Sequence, residues 1–171
     1  HFRFEAKPGR TLVFETTARA LGSGLIGALA VLDDRGRVLA ESPTSEDLRD
    51  PVLTFAPPRE GVYTLRVTDA DYGGSGNHFY RIAAGAEPYV TSVSPPGVAR
   101  GETTPVRVTG VNLDGVATVP MTVTPDAEPG SLLGVPVKLP SGSVPANVRR
   151  VVVADGPQTT EAEPNDSVSQ A

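Results

Sequence analysis

Apolar and polar residues alternate along most of this chain with a period of two, the signature of half-buried strands. In "HFRFEA", Phe2 and Phe4 fall on one face and Arg3 and Glu5 on the other. "KPGR" is a turn, and "TLVFETTA" then points Leu12 and Phe14 inward. "LIGALAVLDDRGRVLAES" predicts two strands around a hairpin at Asp33-Asp34-Arg35-Gly36, where Gly36 supplies the positive φ of a tight turn. "SEDLRD" predicts a single helical turn, and Asp50-Pro51 leads into the strand "PVLTF". "GVYTLRVTDA" is predicted to bury Tyr63, Leu65 and Val67. "DYGGSGN" is a loop, and "HFYRIAAG" closes the series with Tyr80 and Ile82 on one face.

About seven short strands in the first 87 residues predict an antiparallel sandwich. The pattern continues after Glu87-Pro88, but its residues change. Phe is absent beyond Phe79 and Val replaces it, in "VTSVSPPGVARGETTPVRVTGVNL", "VATVPMTVTP", "GVPVKLP" and "ANVRRVVVADG". The expectation is therefore all-β: two antiparallel β-sandwiches, 1–87 (jelly-roll-like) and 88–157 (Ig-like), followed by an extended acidic tail, 158–171. The 18 Gly and 17 Pro, about a fifth of the 171 residues, suit many tight turns and stay below the ~25–30% associated with disorder.

Charge and residue type narrow the function. Net charge is −5, and three of those charges are the tail acids Glu161, Glu163 and Asp166. Arg149-Arg150 is the only basic pair, so the positive footprint of a nucleic-acid binder is missing. No run of about 20 apolar residues is present to span a membrane as a helix. Without Cys there is no disulfide and no thiolate metal site. Nucleophilic catalysis by Ser needs a base and an orienting group, and the only histidines are His1 and His78, the latter alternating with Tyr80 and Ile82. No Gly-x-Ser-x-Gly, His-Glu-x-x-His or Gly-rich phosphate loop occurs, so no enzyme is expected. Asp69, Asp71 and Asn77 lack the further acids of a calcium loop and read as a glycine-rich connection, while Asp33, Asp34, Asp47 and Asp50 read as turn acids. Tyr63 and Tyr80 read as core with their hydroxyls at the rim, leaving Tyr72 as the tyrosine in a loop.

Residues 1–87 resemble the bacterial pre-peptidase C-terminal (PPC) family. The resemblance is carried by "FRFEAKPGRTLVFE", "ALAVLDDRGRVLAES", "FYRI" and, most specifically, Glu60-Gly61-Val62-Tyr63-Thr64-Leu65-Arg66-Val67. Residues 88–157 are similar to Ig-like domains of the IPT/TIG type, with Gly110 and Asn112-Leu113 at that family's Gly-x-Asn-Leu turn. Together these imply a segment of a larger exported protein of planctomycete type, extracellular or at the cell surface. It would be a non-catalytic binding or accessory module. The alternative is an architectural repeat of a surface rod, and a more distant one is part of a secreted hydrolase with catalysis elsewhere.

The tail fits the same resemblance. In the PPC family and the similar collagen-binding domains of clostridial collagenases, a Glu-x-Glu-x-Asn-Asp linker supplies calcium ligands. Glu161, Glu163, Asn165 and Asp166 match it, and the remaining ligands are expected ahead of His1 in a longer chain. Calcium takes 6–8 hard oxygen donors, so these four would form a half-site. The expected partners are neighbouring domains or another copy reached through the tail, and an extracellular polymer or protein ligand. Taken alone, the tail also reads as a solvated linker or as a strap that docks without metal.

Overall fold

The computed structural model describes residues 1–42 and 50–156. Residues 45–49 of the "SEDLRD" stretch, Asp47 among them, and the tail with its four candidate calcium ligands lie outside the described residues. The chain is an all-β sandwich protein that divides into two compact units, 1–87 and 88–171.

Among its described residues the first unit has seven strands: β1 (Phe2–Ala6), β2 (Leu12–Thr17), β3 (Gly27–Leu32), β4 (Val38–Glu41), β5 (Val52–Phe55), β6 (Gly61–Asp69) and β7 (Arg81–Gly85). One sheet has the order β1-β6-β3-β4 and the other β5-β2-β7, with every pairing antiparallel. The core forms where their inner faces meet, from Leu29, Val31, Tyr63 and Leu65 on one side and Phe14, Leu53 and Phe55 on the other. Rings hold its centre. Phe4 lies 5.2 Å from Phe14 and 5.8 Å from Tyr63, and Tyr63 lies 5.1 Å from Phe55, in the tilted, offset and edge-on poses that aromatic quadrupoles favour. Gly36 closes the β3–β4 hairpin at φ +78°.

Among its described residues the second unit has six strands: β8 (Tyr89–Ser94), β9 (Gly97–Ala99), β10 (Thr103–Val111), β11 (Thr118–Thr122), β12 (Leu132–Gly134) and β13 (Arg150–Ala154). One sheet runs β11-β10-β8 and the other β12-β13-β9. The core is aliphatic, built on Val90, Val98, Val106, Val151 and Val153 with Met121 and Leu139.

Two expectations for this unit are corrected. The second sheet is mixed, because β9 runs parallel to β13. After β8 the chain passes Pro95-Pro96, where no hairpin reverses it, and joins the opposite sheet as β9. Residues 134–140, "GVPVKLP", read as a strand, yet only Gly134 belongs to one. Pro136 and Pro140 have no N–H to give a ladder, so the segment is irregular and anchors itself through buried Val135 and Leu139.

Candidate functional site

The sandwich of the first unit is unequally closed. On one side β4 and β5 approach each other across the two sheets. On the other, β1 and β7 are the outermost strands of their sheets, and among the described residues neither has a second neighbour. Between them lies a cleft of about 370 Å³ lined by Phe2, Phe4, Phe14, Leu65, Tyr80, Ile82 and Ala84. That volume falls in the range of ligand sites, about 300–1,000 Å³.

Each wall follows from strand alternation. Phe2 and Phe4 point inward from β1, while Arg3 and Glu5 point to solvent, as the sequence predicts. Ile82 and Ala84 point inward from β7, and Tyr80 precedes that strand on the same side. Phe14 and Leu65 form the buried floor. Phe2 and Tyr80 stand at the mouth, edge to face with ring centroids 6.5 Å apart. They are 48% and 38% exposed, which is high for rings of this size. Tyr80 thus stands at the rim with its ring, where the sequence placed only its hydroxyl there.

Among the described residues, no charged side chain lines this cleft. It can take apolar groups, and the free edges of β1 and β7 can hydrogen-bond an extended backbone. These are the two requirements for adding a strand to a sheet.

The loop singled out for its acids has another role. Asp69 Oδ1 accepts hydrogen bonds from the backbone N–H groups of Gly73 (2.9 Å) and Asp71 (3.0 Å), and Oδ2 accepts one from Ile26 N–H (3.0 Å). These donors, Gly73 foremost, hold its carboxyl below the usual carboxylate range. The Asn77 carbonyl accepts from Gly24 N–H at 2.9 Å and from Ser23 Oγ at 3.1 Å. The loop is thereby stitched to the entry of β3, and Tyr72 is carried at its tip, 97% exposed with φ +57°.

His78 lies beside Asp69 and Ser75. Its Nδ1 is 2.9 Å from Ser75 Oγ, and its Nε2 is 3.8 Å from Asp69 Oδ2. The trio has the residue types of a catalytic triad, but the geometry is that of a clasp. Ser75 Oγ also accepts from Asn77 N–H, both Asp69 oxygens are taken by backbone donors, and 3.8 Å exceeds hydrogen-bond distance.

Asp33, read from the sequence as a turn acid, is a buried one. Its carboxylate accepts from Arg37 N–H and Arg35 N–H, each at 2.9 Å, and from the Arg37 guanidinium at 2.7–2.8 Å. Arg37 N–H first among these, they lower its pKa. Among the described residues, no three His, Asp or Glu side chains gather where they could hold a metal ion. Nor is any described helix long and apolar enough to cross a membrane.

The sequence reading missed the cleft. Alternation predicts which residues of β1 and β7 face inward, but not that both strands are outermost on the same side. The nearest signal is the aromatic pair Phe79-Tyr80 just ahead of β7, a strand in which Ile82 is only half-buried and Ala84 is exposed.

Compared with known proteins, the chain matches no family model, and no curated protein or solved structure gives a significant match.

Proposed function

We propose that this chain is a non-catalytic binding module that receives an extended apolar segment of a protein in the cleft between β1 and β7. The observation that carries the reading is the pairing of an apolar, aromatic-rimmed cleft with two strand edges that have no second neighbour among the described residues. Main-chain hydrogen bonds to an edge supply affinity in such recognition, and alternate side chains entering the cleft supply selectivity. Tyr80 and Phe2 present large rigid rings at the mouth, the residue class that dominates binding energy at protein interfaces. A setting in a larger exported protein, with calcium held by the tail, belongs to the same proposal and rests on the resemblance to the PPC family.

The test is selection of a random heptapeptide library on the chain, repeated with Ala84→Arg. Ala84 is exposed on β7 and lines the cleft, so a long cationic side chain there obstructs the cleft without entering the core. Enrichment of alternating apolar peptides by the native chain, lost with Ala84→Arg, supports the proposal. No enrichment, or enrichment indifferent to Ala84→Arg, removes it.

A further inference from the structure

We infer that the segment received at this cleft is the β1 strand of a second copy of the chain, paired antiparallel about Phe4; this rests on the cleft being a binding surface for extended backbone.

Edges are liabilities that folded proteins blunt. β11 carries Pro120 and so lacks one ladder donor. The outer edge of β8 is occupied: Asn147 bonds Val90 N–H and C=O through its side-chain amide, and Ala146 N–H donates to the Pro88 carbonyl at 2.8 Å. β9 and β12 are three residues each. β4 and β5 lie against one another. β1 and β7 have none of these devices within their spans.

Of those two, only β1 is complementary to itself. Its sequence is Phe2-Arg3-Phe4-Glu5-Ala6. In an antiparallel pair turned about Phe4, Phe4 faces the second copy's Phe4, Arg3 faces its Glu5, Glu5 faces its Arg3, and Phe2 faces its Ala6. Arg3 and Glu5 lie on the solvent face and Phe2, Phe4 and Ala6 on the inner face. A single register therefore satisfies both faces. Two opposite-charge pairs form outside, and a Phe4–Phe4 pair forms inside, beside the cleft. Phe2, 48% exposed, gains cover. The contact is isologous and closed, as a two-fold dimer requires. The same operation about Ala83 of β7 sets Arg81 against Gly85 and joins no opposite charges.

Charge variants of the full chain test this by sedimentation equilibrium at concentrations up to about 1 mM. The native chain is expected to be a reversible dimer. Arg3→Glu alone places like acids opposite each other twice, and Glu5→Arg alone does the same with bases. Each is expected to weaken association roughly tenfold to a hundredfold. Mixing the two single variants restores both opposite-charge pairs, so a heterodimer of near-native affinity is expected. That rescue also shows both variants to be folded. A native chain that stays monomeric overturns the inference, as do single variants that dimerise like the native chain or a mixture that does not associate. A monomer that still enriches peptides in the library selection would remove self-pairing and leave the cleft as a binding site.

Discussion

Asn147 makes, with its side chain, both hydrogen bonds that a neighbouring strand would make to Val90. Its Oδ1 accepts from Val90 N–H and its Nδ2 donates to the Val90 carbonyl, each at 2.8 Å. A side-chain amide has the same donor and acceptor as a peptide group, so one residue stands in for a length of strand. Arg149 Nε adds a second donor to the Val90 carbonyl at 3.1 Å. Asn147→Ala therefore leaves the carbonyl with a partner and the N–H with none. Val90 is 1% exposed, so water does not replace that partner. The expected cost is about 1–3 kcal/mol, the range for a buried group left unpaired. Urea unfolding of the variant checks it, and a change below a few tenths of a kcal/mol would show that the clamp is ornamental.

Tyr63 ties the first unit in a comparable way. Its hydroxyl donates to the Arg59 carbonyl four residues upstream at 2.7 Å, while its ring packs on Phe4 and Phe55. The same device, a tyrosine reaching back to the backbone before its strand, recurs in β-sandwiches. The two roles separate by substitution. Tyr63→Phe keeps the ring and loses the bond, and should cost about 1 kcal/mol. Tyr63→Ala also opens a cavity among the rings and should cost about 3–5 kcal/mol. Equal losses for the two variants would mean that the hydroxyl, rather than the ring, holds the corner.

Much of the first sandwich is legible in the sequence because alternation reports burial directly. Phe14, Tyr63 and Leu65 are buried where the period of two places them, and Gly36 turns where a hairpin needs it. What alternation omits is everything set by strand order. Val13 is buried on the opposite face from Phe14, a fact that no pattern within β2 contains. Asp33 looks like any turn acid until Arg35 and Arg37 fold their N–H groups around it. The cleft exists because β1 and β7 are outermost on one side, and Tyr80 sits at its rim for the same reason. In the second unit, "GVPVKLP" carries a strand's apolar residues and a proline's missing donor, and the donor decided.

Gly110 illustrates a motif residue whose reason is steric. The pairing of β10 with β8 shifts register between Thr109 and Gly110, bringing the Tyr89 carbonyl in close. A Cβ at Gly110 would stand 2.1 Å from that oxygen and 2.9 Å from Leu113 Cδ1. The backbone there is not left-handed, so contact rather than φ requires glycine. Gly110→Ala must push β8 and β10 apart and is expected to cost about 3 kcal/mol or more. Gly130→Ala is a control of a different kind, since its added Cβ meets nothing but its φ is +83°. That variant should lose only about 1 kcal/mol. Thermal unfolding that ranks the two in the reverse order would disprove the close approach.

Acid should destabilise the first unit through Asp33 and Asp69. Backbone N–H groups, Arg37 for the one and Gly73 for the other, lower both pKa values below the ordinary 3.8. A carboxyl with a depressed folded-state pKa is stabilising above its unfolded value, and that contribution is lost as pH falls through the folded one. In that window the unfolded chain binds more protons, so stability rises with pH. Asp69→Asn removes the titrating group and sets an amide NH₂ among backbone donors. The variant should therefore be less stable than the native chain at pH 7, and the gap should close as pH is lowered below about 4. Melting temperatures of the two chains between pH 7 and pH 2 measure this directly. A gap that stays constant across the window would mean that Asp69 holds its loop by shape alone, without help from its charge.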